Sequence, residues 1–261
     1  MRVTIKKGTA HGTVAAPPSK SMAHRLLICA GLCRGKSVIR GVECSQDVLA
    51  TLDCLRAIGA KCELAGDTVT VYGTDFAESG KRTLNCRESG STLRFFIPIS
   101  MLFSGKTRLC GSETLLSRPL DVYKSTCRAA GLPYKQGADF VEVGGRLAPG
   151  NFKIPGNISS QFISGLLFAL PLLSGDSLIT IAPPIESRSY IELTLGALKK
   201  FGVEAYWKNE RTLFVAGGQS YKCADVTVEA DYSNAAFFII SFLSISTQVP
   251  PLGFMIFLYL G

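Results

Sequence analysis

Apolar and polar positions along this chain follow a pattern that recurs. Residues 26–39, 95–109 and 166–179 each open with an apolar block long enough for a buried helix, stop at a glycine, and continue as a strand. The stops, Gly35, Gly105 and Gly175, stand 70 residues apart, and the polar helix starts Ser19, Ser89 and Ser159 keep the same step. A second helix follows in each segment, over 48–58, 120–130 and 190–201, ending at Gly59, Gly131 and Gly202. Alternating pairs then predict hairpins, as in Cys62-Glu63-Leu64 with Thr68-Val69-Thr70-Val71, and Tyr206-Trp207 with Thr212-Leu213-Phe214-Val215. The unit is therefore strand, helix, strand, helix, hairpin, and it occurs three times. The fold class is α/β, with each unit burying its helix against its neighbours.

A fourth unit begins near Val226 and then breaks off. No charged residue occurs in 233–261, and no glycine stop arrives where the period requires it. A membrane span needs about 20 unbroken apolar residues. Gln248, Pro250 and Pro251 divide the tail into two shorter pieces, so a foreign or aberrant C-terminus is expected there rather than a membrane anchor.

The candidate chemistry lies where the first helix starts, in Pro17-Pro18-Ser19-Lys20-Ser21-Met22-Ala23-His24-Arg25. Proline, then a serine N-cap, then an apolar run is a helix-start signal. Such a start carries free N–H groups and a partial positive charge. Lys20, the serine hydroxyls and Arg25, which shares a helix face with Ser21, complete an anion site. The plainer reading is a capped helix with two solvated bases. If the three units pack around a pseudo-threefold axis, the other starts add Ser89, Gly90, Ser91, Thr92 and Arg94, then Ser159, Ser160 and Gln161. Gly90 allows close backbone approach, and the guanidinium of Arg118 can fork onto a carboxylate or phosphate.

Composition narrows the partners. The net charge of +8, from 28 Lys and Arg against 20 Asp and Glu, suits acidic ligands. The bases are scattered and only one Trp is present, which argues against nucleic acid. Nine cysteines without a Cys-x-x-Cys pair, and two histidines, argue against zinc and against a disulfide framework. Reduced, mostly buried thiols are expected, and residues 1–8 contain no secretory h-region. Gly35-Lys36-Ser37 and Gly105-Lys106-Thr107 resemble the end of a P-loop. That motif needs a glycine where Ala30 and Ser100 stand, and it precedes a helix rather than following one; both are read as helix stops.

Taken together, these stretches resemble one family. Pro18-Ser19-Lys20-Ser21-Met22-Ala23-His24-Arg25, Ser89-Gly90-Ser91-Thr92-Leu93-Arg94, Arg118-Pro119-Leu120, Ser159-Ser160-Gln161-Phe162, Ser187-Arg188-Ser189-Tyr190 and Glu229-Ala230-Asp231-Tyr232-Ser233-Asn234-Ala235 occur in the order found in 5-enolpyruvylshikimate-3-phosphate (EPSP) synthase. The sister transferase acting on UDP-N-acetylglucosamine is less similar, since its early lysine is followed by Asn and here by Ser21. The resemblance implies an inside-out α/β barrel domain with a fragment of a second like domain. Residues 1–19 would be the first strand of the incomplete domain, 20–221 the complete substrate domain, 222–238 the opening of the incomplete one, and 239–261 the tail. It implies transfer of the enolpyruvyl group of phosphoenolpyruvate to the 5-hydroxyl of shikimate 3-phosphate by a monomeric, cytoplasmic enzyme without metal or organic cofactor.

By the same resemblance, Lys20 contacts phosphoenolpyruvate and the reacting hydroxyl, and Asp231 is the base. Ser21 and Arg25 hold the shikimate carboxylate. Gly90, Arg118 and Gln161 line the phosphoenolpyruvate side. Ser159, Ser160 and Ser187 take the 3-phosphate, and Tyr190 completes the pocket. Without the resemblance, a lone Asp at a helix start is a cap. Glu88 departs from the family, which has Asn there, and a carboxylate repels phosphoenolpyruvate unless paired. Family chains continue well past this point, with further ligands absent from the charge-free tail. Negligible turnover by this chain is therefore expected, and a non-catalytic anion-binding fragment is the alternative.

Overall fold

A helix that is apolar on all sides is stable only where no side meets water. The three apolar blocks obey this. The computed structural model describes residues 15–74, 81–231 and 234–236, and in it the blocks form the buried centre. The first unit contains α1 (Lys20–Leu32), β1 (Lys36–Arg40), α2 (Gln46–Ala57), β2 (Lys61–Ala65) and β3 (Thr68–Tyr72). The second has β4 (Arg82–Asn85), α3 (Gly90–Ser100), β5 (Thr107–Cys110), the short α4 (Glu113–Leu116), α5 (Asp121–Ala129), β6 (Tyr134–Gln136) and β7 (Phe140–Val143). The third has β8 (Asn151–Pro155), α6 (Gln161–Ala169), β9 (Ser177–Ala182), α7 (Arg188–Lys200), β10 (Ala205–Asn209) and β11 (Thr212–Val215), and β12 (Asp225–Thr227) follows it. Helix α1 is buried from Met22 to Leu32, α3 from Thr92 to Ser100 and α6 from Phe162 to Ala169.

Each unit contributes a four-stranded sheet, in the orders β12-β1-β3-β2, β4-β5-β7-β6 and β8-β9-β11-β10. The first two strands in each order are parallel and the rest antiparallel. Strands such as β9 alternate buried and part-buried positions, so one face of the sheet packs on the helices. The predicted glycine stop holds at Gly35, whose φ of +139° favours glycine.

Differences from the sequence reading are local. α6 begins at Gln161 with Ser160, not Ser159, at its N-cap, and α7 begins at Arg188 rather than 190. α4 was not predicted, because four residues are too few to carry a period. β12 comes from the far end of the chain: Val38, Ile39 and Arg40 pair in parallel with Asp225, Val226 and Thr227. The strand position that β4 and β8 fill in their sheets is thus filled in the first sheet from the far end of the chain, and Arg40 forms an ion pair with Asp225 across the seam. The expected first strand and the tail lie outside the described residues, apart from Ala15 to Ser19.

The helices approach one another closely at two residues. Pro98, inside α3, has no N–H to give the carbonyl of Arg94. The fully buried Tyr123 hydroxyl from α5 fills that role, 2.8 Å from Arg94 O and 3.1 Å from Phe162 O on α6. A Cβ at Gly165 would stand 2.4 Å from the Tyr123 hydroxyl and 2.6 Å from Arg94 O, so glycine is what lets α6 lie this near α3.

Candidate functional site

The first turns of the three buried helices meet at one end of the molecule. Ser19 accepts from Met22 N–H and Ser89 from Thr92 N–H, each capping its helix through the side chain. Ser159 accepts from Gln161 N–H at the start of α6. Side chains link these turns. Gln161 accepts from Arg94 Nη1 at 2.8 Å and donates to Ser91 Oγ at 2.7 Å. Arg25 reaches from α1 to Ser164 on α6, 3.5 Å away, and to α7, where its Nε donates to Thr194 Oγ1 at 2.8 Å and its Nη2 to Tyr190 O at 3.1 Å. Side chains thus join the three helix starts that the repeat makes equivalent.

The electrostatics are one-sided. Arg25 is 3% exposed. All its hydrogen-bond partners are neutral oxygens, and its guanidinium lies 5.4 Å from the Phe95 ring centre and 5.9 Å from that of Tyr190. Burial pushes its pKa down to about 10, the mark of a charge held in an apolar setting without a counter-ion. Burial likewise lowers Arg94, whose Nε has no hydrogen-bond partner. The side chain of Arg118, just before α5, comes alongside: a Cβ at Gly90 would stand 3.0 Å from Arg94 Nη1 and 3.0 Å from Arg118 Nη1. Among the described residues no carboxylate pairs with Arg25, Arg94 or Arg118. Arg118 is exposed, but the buried guanidinium groups of Arg25 and Arg94, left unpaired, are costly unless something anionic joins them.

Lys20 is different, because it pairs with Asp47 on α2 at 2.8 Å. The lysine side chain is 55% exposed, and such a pair contributes at most about 1 kcal/mol, so a ligand can displace it. Behind the pair, His24 Nδ1 lies 2.7 Å from Thr51 Oγ1, which lies 2.8 Å from Thr92 Oγ1, itself 2.7 Å from Ser89 Oγ. This chain of hydroxyls ties α1, α2 and α3 together below their mouths. His24 Nε2 is buried without a partner, and burial lowers its pKa to about 4.

Of the residues singled out in the sequence, Lys20, Ser21, Arg25, Gly90, Arg118, Gln161 and Tyr190 gather around these mouths. Asp231 joins them from the far end of the chain. Its N–H donates to Pro17 O at 2.8 Å, and Ser19 N–H donates to Glu229 O at 2.8 Å. The Asp231 carboxylate also accepts from Asn234 N–H at 3.1 Å, as a helix cap does. Ser159 and Ser187 are exposed and Ser160 is buried. Ser187 holds a left-handed backbone (φ 55°) at the start of α7 without a side-chain cap, a strained conformation found at binding sites. Glu88 is exposed.

Thr194, Ser164, Thr51 and Asp47 were not singled out. Thr194 lies four residues after Tyr190 and Ser164 three after Gln161, so helix spacing alone could have found them. Beside this cluster, a cavity of about 910 Å³ runs between α5 and β8, lined by Val122, Thr126, Phe152 and Phe162, and it shares Arg94 and Ser159 with the mouths.

The profile of a family described as EPSP synthase (3-phosphoshikimate 1-carboxyvinyltransferase) matches residues 5–249. The chain is 47% identical over 243 residues to the 3-phosphoshikimate 1-carboxyvinyltransferase of Clostridium beijerinckii, covering 90% of this chain and 56% of that protein. It is 42% identical to the protein of the same name from Clostridioides difficile, covering 87% and 55%. The structure of EPSP synthase from Acinetobacter baumannii superposes with a TM-score of 0.74 at 22% identity, over 88% of this chain and 52% of that one; this likeness bears on the fold. The chain spans about half the length of the curated relatives it matches.

Proposed function

This chain belongs to the EPSP synthase family, and from that premise we propose that it supplies the shikimate 3-phosphate pocket and part of the phosphoenolpyruvate pocket of a 3-phosphoshikimate 1-carboxyvinyltransferase. What supports the reading most is that Arg25 on α1, Arg94 on α3 and Arg118 just before α5 lie beside the converging helix starts with no carboxylate partner among the described residues. Both substrates are small polyanions. Dipoles, hydroxyls and fixed cations aimed at one spot favour such ligands.

In this reading Arg25 and Ser21 hold the shikimate carboxylate, with Tyr190 against the ring. Ser159, Ser160 and Ser187 take the 3-phosphate. Gly90, Arg118 and Gln161 receive phosphoenolpyruvate, and Gly90 leaves room where a Cβ would meet two guanidinium groups. Lys20 leaves Asp47 for the substrates. The 5-hydroxyl gives its proton to Asp231 and attacks the enol carbon, while the methylene carbon gains a proton. The tetrahedral adduct then loses phosphate and a methyl proton, restoring the double bond. The cations stabilise the negative charge throughout. The protein is taken to be cytoplasmic and monomeric, with these two anions as its partners and neither nucleic acid nor membrane. Among the described residues no helix is long and apolar enough to cross a membrane.

Calorimetric titration of the folded chain with shikimate 3-phosphate tests the pocket. Saturable binding is expected, lost in Arg25→Gln and weakened about tenfold or more in Lys20→Ala. A folded chain that does not bind, or folded variants that bind as the parent does, would overturn the assignment.

A further inference from the structure

The cysteines hold one arrangement that the anion site does not use. Cys33, at the C-terminal end of α1, and Cys223, just before β12, place their sulfurs 2.8 Å apart although 190 residues separate them in sequence. That is inside van der Waals contact, and less than about 1 Å from disulfide bonding distance. Space is made for it: a Cβ at Gly35 would meet Cys223 Sγ at 2.6 Å. Cys33 is buried and Cys223 exposed, so one sulfur is open to an oxidant and the other waits behind it. The second close pair, Cys54 and Cys86, is 4.0 Å apart with both members buried.

We propose that Cys33 and Cys223 are a site of reversible disulfide formation that fastens the returning strand to α1. The position gives the bond a consequence. From Cys223 the chain runs along β1, with Ala224 bonded to Ser37 Oγ and to Val38 N–H, and with Val228 N–H bonded to Arg40 O. It then reaches Ser19 through Glu229 O and presents Asp231 at the α1 mouth. Segment 223–231 thus spans α1 from its C-terminal end to its N-terminal end. It is held by a three-residue edge strand and an exposed ion pair. A covalent link at Cys223 pins the end of this segment opposite Asp231.

The oxidant is a small disulfide such as oxidised glutathione. The Cys223 thiolate attacks one of its sulfurs, forming a mixed disulfide and releasing one glutathione thiolate. Cys33, deprotonated, then attacks Cys223 Sγ and expels the second. Two electrons pass from the protein thiols to glutathione disulfide, and the two protein protons end on the two glutathione thiols. Burial raises the Cys33 thiol to about 12, which agrees with Cys223 acting first.

The folded, reduced chain is incubated with oxidised glutathione, alkylated, digested and mapped by mass spectrometry. The expected product is a Cys33–Cys223 peptide pair, lighter by about 2 Da, with a Tm raised by roughly 5–15 °C and restored by dithiothreitol. Cys33→Ser should stop at a glutathione adduct on Cys223. Cys223→Ser, at an exposed position, should keep the parent's reduced Tm and show no oxidative rise. Recovery of both cysteines fully alkylated, or crosslinking of Cys54 with Cys86 in preference, would overturn the proposal.

Discussion

His24 gives the most quantitative test of the packing behind the anion site. Its ring is 2% exposed, Nδ1 is engaged by Thr51, and Nε2 faces no acceptor. Protonation would place a charge, and an N–H with nothing to receive it, among three helices. Burial is the main cause of the lowered pKa; Asp47 opposes it, while Arg25 and Lys20 add to it. The folded value is about 4 against 6.5 unfolded. Above pH 6.5 both states are neutral and the group contributes nothing. As pH falls, the unfolded chain binds the proton and the folded chain does not, so stability is lost. Linkage gives a loss of about 2 kcal/mol at pH 5 and about 3 kcal/mol at pH 4 from this residue alone. Urea unfolding, followed by the fluorescence of the single Trp207, should be measured at pH 7, 5 and 4 for the parent and for His24→Asn. Carboxylates affect both proteins alike, so the difference isolates His24. The parent should lose about 3 kcal/mol more than the variant between pH 7 and pH 4. Parallel curves, within about 0.5 kcal/mol, would mean that the imidazole is charged or hydrated in the folded state and would refute the reasoning.

Two further substitutions test the geometry. Gly90→Ala puts a methyl 3.0 Å from both Arg94 Nη1 and Arg118 Nη1, so titration should show phosphoenolpyruvate binding weakened about tenfold while thermal unfolding moves by less than about 1 kcal/mol, because the displaced groups are flexible tips. Tyr123→Phe removes the hydroxyl that satisfies the carbonyl freed by Pro98; chemical denaturation should show a loss of about 2 kcal/mol.

How much was legible follows from the range of the interactions. Caps, glycine stops and apolar runs act within a few residues. Ser19, Ser89 and Gly35 therefore declared themselves by pattern, as did a central set of helices too apolar to face water. The 70-residue step further requires that three such helix starts be equivalent, which is why Lys20, Gly90 and Gln161 group together from the sequence alone. The resemblance added Asp231, which spacing alone reads as a cap.

What tertiary structure decided is long-range. No local signal shows that β12 completes the sheet begun by β1, or that Asp231 returns to Pro17 across the whole domain. Nor could pattern show that Arg25 is enclosed with only neutral oxygens around it, since an unpaired cation is defined by what three other helices fail to provide. The same holds for Tyr123 serving the carbonyl that Pro98 leaves free, and for two sulfurs meeting over Gly35. Local sequence sets where a helix begins and ends because a cap costs or gains energy within one turn. Which charges stay unpaired at its mouth depends on side chains brought together only when the separate units pack.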